Sequence, residues 1–139
     1  MTRDDFYKIV NKLDNENRKR LRIERRIEQL NSSIDIKSSI GSEVHSDNNN
    51  DVLHSLVCEK ADLEKELKEL NIVIKYQTKD INRVINKVDN EEYRDLLYYK
   101  YVKHLNWFDI ADILNYTIDH AKGRKFREAK RSLFKTFES

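Results

Sequence analysis

Residues 90–139 run NEEYRDLLYYKYVKHLNWFDIADILNYTIDHAKGRKFREAKRSLFKTFES and contain three helix starts in close succession. Asn90 is an N-cap residue type, and Glu91 and Glu92 follow where the helix dipole favours acids. Leu96, Leu97, Tyr101 and Leu105 then recur at helical spacing. Asn106 starts a second helix, with Asp109 three residues on in the manner of a capping box that has Asp for Glu. The spacing predicts a short helix Trp107–Leu114 with Trp107, Ile110, Ala111 and Leu114 on one side. Asn115-Tyr116 is the expected turn, because Asn tolerates the left-handed conformation. Thr117 caps the last helix, which carries Lys122, Arg124, Lys125, Arg127, Lys130, Arg131 and Lys135. A short helix, a tight turn and a basic second helix make a helix-turn-helix, the geometry that lays a recognition helix in the DNA major groove.

The pattern from Arg94 to Leu133 resembles region 4 of bacterial sigma factors. Tyr101 ends one helix, Trp107-x-x-Ile110-Ala111-x-x-Leu114 forms the next, and Tyr116-Thr117-x-x-His120 opens the last. The whole chain resembles small phage and prophage proteins of Gram-positive hosts that carry such a domain behind an N-terminal helical segment, among them RinA-like and ArpU-like late-transcription activators. Val84–His120 is the most specific part, including Val88-Asp89-Asn90-x-x-Tyr93 and Tyr116-Thr117-Ile118-x-His120. The N-terminal half matches only in its general pattern of heptads, then a polar loop, then heptads. The resemblance implies a sequence-specific regulator of phage or prophage transcription, an activator of late genes in the bacterial cytoplasm. In the resembled motif, bases are touched by the exposed residues just after the helix cap, which here are Asp119, His120, Lys122 and Gly123.

Composition agrees with an all-α chain. Charged residues make up 37% and apolar ones 38%, with no proline and only Gly41 and Gly123, too few turn residues for a sheet. Net charge is +2, so any basic character that matters is local. Cys58 is the single cysteine, which rules out an internal disulfide. Its place beside a seam position predicts a small buried thiol. With no signal peptide and no long apolar run, the chain is expected to be cytosolic and off the membrane.

Phe6, Ile9, Leu13, Glu16, Arg20, Ile23, Ile27, Leu30 and Ile34 are spaced three and four apart, and seven of the nine are apolar. This is a heptad seam on a helix expected from Asp4 to Asn31, extending toward Ile36, with Glu16 and Arg20 placed to pair on its surface. From Asn31 to Asp51, 14 of 21 residues are Ser, Asn, Asp or Gly, which predicts a flexible polar loop over 37–51. Asp47–Asp51 has the opening residues of a calcium loop. Val52 stands where that loop needs Gly and Cys58 where it needs Glu, so calcium is rejected. A second seam runs through Leu53, Leu56, Lys60, Leu63, Leu67, Leu70, Ile74, Gln77, Ile81, Val84 and Val88. A helix Val52–Val88 would be about 55 Å long and needs a partner for its apolar stripe. The first helix can fold back on part of it. The remainder must pack on the helix-turn-helix domain or on a second subunit, which makes a homodimer through the arm the natural hypothesis.

The expected architecture is therefore an N-terminal antiparallel, coiled-coil-like helical hairpin or oligomerisation arm over 1–88 and a sigma-region-4-like helix-turn-helix domain over 89–139. For double-stranded DNA, Lys122 has the donors for guanine and Asp119 the acceptor for cytosine. Thr117, Arg124, Lys125, Arg127, Lys130 and Arg131 are candidate phosphate contacts, which set affinity and not sequence. Gly123 has no side chain to read with, and near it Ile118 and Ala121 fall out of phase with Phe126, Ala129, Leu133 and Phe137. A second basic patch is formed by Arg18, Lys19, Arg22, Arg25 and Arg26, with solvated coiled-coil flanks as the plain alternative. Tyr98, Phe108 and Tyr116 are the aromatics open to solvent on this reading, whereas Tyr101 and Trp107 fit core spacing. The four histidines show no metal-ligand spacing and no phosphate loop or nucleophile elbow is present, so neither an enzyme, a metal nor a cofactor is expected. Two other roles stay open: a small terminase-like packaging subunit that assembles as a ring, and an interaction module that docks on host RNA polymerase without touching DNA.

Overall fold

The computed structural model describes residues 1–41 and 47–138, and every element among them is helical. Helix α1 spans Arg3–Gly41 and α2 spans Asp47–Ile85, each 39 residues long. They form an antiparallel hairpin. Shorter helices follow: α3 (Glu91–Tyr101), α4 (Trp107–Leu114), and a composite last helix made of α5 (Ile118–His120), a π-helical turn (Ala121–Lys125) and α6 (Phe126–Lys135), closed by a 3-10 turn at Thr136–Glu138. The polar loop expected over 37–51 is corrected at both ends, where residues 37–41 and 47–51 are helical; 42–46 lie outside the described residues. Ser and Asn lower helix propensity by only tenths of a kcal/mol each, so long helices on either side can run into such a stretch.

The chain forms two compact units whose borders fall inside the long helices. One unit is Glu16–Val73, the middle of the hairpin. Ile23, Leu30 and Leu70 are its buried apolar residues, with Leu53, Leu56, Leu63 and Leu67 half-buried along the predicted seam. Register is visible in two ion pairs. Arg26 donates to both Glu59 oxygens at 2.8 and 3.1 Å, and Lys19 pairs with Glu66 at 3.4 Å. From the first pair to the second, one helix steps back a heptad and the other steps forward by one, as antiparallel packing requires. Arg20 pairs with Glu24 at 4.0 Å and not with Glu16. Cys58 corrects the sequence expectation: it is exposed, with its Sγ 3.6 Å from His54 Nε2. It lies two residues past Leu56, about 200° around the helix, so it faces away from the seam.

The other unit joins Met1–Asn15 and Ile74–Ser139. Its core contains Phe6, Val10 and Leu13 from α1, Ile74, Ile81 and Ile85 from α2, Val88, Leu96, Leu97, Tyr101 and Val102, Ile110 and Ala111 from α4, and Ala121, Ala129, Leu133 and Phe134. Phe6 is 0% exposed and meets the rings of Tyr101 at 5.1 Å, Phe134 at 6.3 Å and Phe137 at 5.9 Å. The start of α1 and the end of α2 are thus built into the same core as the C-terminal helices. Burial, with Tyr7 alongside, pushes the Tyr101 hydroxyl well above an ordinary phenol.

Candidate nucleic-acid interface

The helices that carry the candidate residues are set by local chemistry. Asn90 accepts the Tyr93 N–H at 3.2 Å and opens α3. Arg94 then reaches back with Nη1 to the carbonyls of Val88 (2.7 Å) and Asp89 (2.9 Å), satisfying acceptors in the turn that follows α2. Beyond α3, His104 adopts φ 52° and its Nδ1 lies 3.6 Å from Asp14 of α1. Neither Arg94 nor His104 was marked by the sequence as a positioning residue. Their partners are backbone carbonyls and a distant carboxylate, which leave no spacing pattern.

Asn106 accepts the Asp109 N–H at 2.8 Å and starts α4. Asn115 ends it at φ 63°, ψ 42°, and the Tyr116 N–H returns to the Ala111 carbonyl at 2.9 Å. That left-handed residue makes the chain double back within two residues. Thr117 accepts the His120 N–H at 3.2 Å and starts the last helix. Ile110 and Ala111 hold α4 to the core, and Trp107 packs edge-on against Phe126 at 4.7 Å with Lys100 Nζ 4.8 Å over its ring. Trp107 is half-buried and so only partly a core residue, whereas Phe108, one residue further round the helix, is 67% exposed. Tyr98 and Tyr116 are half-buried.

The phase slip near Gly123 has a structural cause. The Phe126 N–H bonds to the carbonyl of Ala121, five residues back, so the helix takes one π-helical turn here. An uninterrupted α-helix that buries Ala121 would bring Lys125 and Glu128 to the core. The extra residue lets Ala121 and the Phe126–Ala129–Leu133 stripe all face inward. Gly123 sits in this turn with negative φ, and a Cβ placed on it would meet no atom within 4 Å.

The predicted contact residues fall into groups. Asp119 and Lys122 are exposed at the start of the last helix, while His120 is half-buried with its ring edge-on to Tyr116 at 5.1 Å. Arg124 and Lys125 are tied to carboxylates. Arg124 Nε donates to Glu128 at 3.0 Å, and Lys125 Nζ lies 3.4 Å from Glu92. Glu128 also accepts the Tyr93 hydroxyl at 2.7 Å. That bond, then Arg124, holds the Glu128 carboxyl below its ordinary range, and the same bond raises the Tyr93 hydroxyl. Arg127, Lys130 and Arg131 share a different stripe of α6, away from these acids. In the middle of the hairpin, Lys19 and Arg26 are engaged with Glu66 and Glu59, while Arg22 and Arg25 are exposed. Part of that basic run therefore fastens α1 to α2. Among the described residues, no group of three or more His, Cys, Asp or Glu could hold a metal, and no helix is long and apolar enough to cross a membrane.

Residues 30–133 match a protein family described as "Protein of unknown function (DUF1492)". The chain belongs to this family. The matched stretch takes in the end of α1, all of α2, α3 and α4, and the last helix through Leu133, so it reaches into both compact units but leaves out residues 1–29. No curated protein and no solved structure matches the chain.

Proposed function

We propose that this DUF1492 protein is a sequence-specific DNA-binding regulator of phage or prophage transcription, acting on late genes, with the last helix as its recognition helix. The observation that carries this is the turn at Asn115. It joins α4 to a Thr117-capped helix within two residues and leaves Asp119 and Lys122 exposed at that helix's start. Exposed side chains in the first turns of a second helix are the ones that reach base edges in helix-turn-helix proteins. The setting in phage and late genes follows from the resemblance of Val84–His120 to late-transcription activators.

The test is fluorescence anisotropy of the full chain against pooled fragments of its source genome at low and physiological salt. Enrichment of one fragment, with affinity falling steeply as salt rises, is the expected result. Lys122→Ala should relax discrimination between sequences. Arg127→Ala should weaken binding to all duplexes and flatten the salt slope by about one. Equal losses on every duplex for both variants would reject this division of labour. Phe108 and Ile113, 67% and 50% exposed on α4, favour a second reading in which the domain docks on a protein such as RNA polymerase. Absence of duplex binding at both salts, with retention of polymerase by the immobilised chain and its loss in Phe108→Ala, would favour that reading.

A further inference from the structure

Arg3, Tyr7, Arg127, Lys130, Arg131 and Phe134 line an open concavity of about 350 Å³. Four of the six are cations, and no carboxylate lines it. Other concavities differ: the one at Lys87 and Lys135 includes Asp89, and the one at Arg94 includes Asp95. Among the described residues, none of the four cations takes part in an ion pair, whereas Arg124 and Lys125 on the same helix both do. Aromatic faces hold two of the four. The Arg3 guanidinium lies 4.7 Å over the Phe134 ring, and Lys130 Nζ lies 4.4 Å over Phe126. Arg127 and Arg131 stand four apart on one helix, a spacing at which like charges repel. A cluster of cations without a carboxylate is what an oxyanion would neutralise.

We infer that this concavity seats one phosphate-type oxyanion, gripped from one side by Arg3 of α1 and from the other by Arg127, Lys130 and Arg131 of α6. This rests on the DNA-binding reading for the source of the oxyanion, a backbone phosphate of the duplex. It adds a contact from the far N-terminal end of the chain. Arg guanidinium groups suit the task because their paired N–H groups match two phosphate oxygens.

Duplex binding by the full chain as wild type, Arg3→Gln and Arg3→Lys, over a range of salt, tests it. In parallel, thermal unfolding is followed in sodium phosphate and in sodium chloride at matched ionic strength. Arg3→Gln should bind every duplex about fivefold more weakly, with the log–log salt slope reduced by about one. Arg3→Lys keeps the charge but not the paired N–H groups, so it should restore the salt slope and only part of the affinity, which separates charge from lost packing on Phe134. If wild type binds DNA and Arg3→Gln matches it in affinity and slope, the inference is overturned while the DNA reading stands. If wild type binds no DNA, the phosphate arm decides. Stabilisation by phosphate that Arg3→Gln abolishes supports a seat for a free oxyanion. An equal response of both proteins overturns the seat altogether.

Discussion

Glu128 shows what a single residue contributes to the last helix. It ties α6 to α3 through Tyr93 and clamps Arg124 at the same time. Its carboxyl is held below its ordinary value of 4.5, first by the Tyr93 hydrogen bond and then by Arg124. Because the folded value is the lower one, the stabilisation is fully present above the unfolded value and disappears as pH falls through the folded value. Thermal unfolding of wild type and Glu128→Gln should therefore differ by a constant amount above the ordinary carboxylate range and converge as pH falls below that range, through the lowered folded value. A gap that persists at low pH would show that the carboxylate's charge is not what matters. Gly123 contributes in the opposite direction. Open space surrounds its missing Cβ, so Gly123→Ala should raise stability by about 0.4–1 kcal/mol, read as a higher Tm. A fall in Tm would mean that the π-helical turn needs glycine for its backbone.

The last helix is the element whose geometry and sequence are most closely matched. Deleting Gly123 would place Ala121 and the following Phe four residues apart, the ordinary α-helical interval, and both could still face the core. Such a deletion should fold with undiminished helicity and a Tm no lower than wild type. It would nevertheless redistribute Lys122, Arg124 and Lys125 around the helix. On the proposed DNA-binding role, discrimination between duplexes should collapse while non-specific binding survives. A variant that retains full discrimination would show that the π-helical turn only corrects core phase. The sequence reveals this turn as a slip between Ile118–Ala121 and Phe126–Phe137. The direction of the slip and its resolution by one five-residue hydrogen bond come from the structure. The hydrogen-bonding caps are different. Asn90, Asn106 and Thr117 bond within three residues of themselves, so their signals are local and legible from the chain alone.

For the whole molecule, the consequence of Phe6 is the largest. Its ring packs against Tyr101, Phe134 and Phe137, so the helix-turn-helix core is closed by residues 1–15 as well as by its own helices. Phe6→Ala should cost about 3–5 kcal/mol, measured by denaturant unfolding of the full chain. A fragment of residues 89–139 should lack a cooperative thermal transition, because it exposes the faces that Phe6, Val10, Ile81 and Ile85 cover. A sharp transition in that fragment would show that the C-terminal helices suffice by themselves.

Periodicity, capping residues and the near absence of glycine and proline determine from the sequence alone that the chain is helical, where α3, α4 and the last helix begin, and that the two long helices carry apolar stripes. These are short-range properties, readable within a few turns of helix. A stripe does not name its partner. Only the tertiary structure decides that the first turns of α1 close the C-terminal core, that Cys58 lies outside the seam, and that Arg124 and Lys125 are ion-paired while Arg127, Lys130 and Arg131 line one concavity with Arg3. Each of these depends on residues far apart in the chain meeting in space, which is a property of packing and not of spacing.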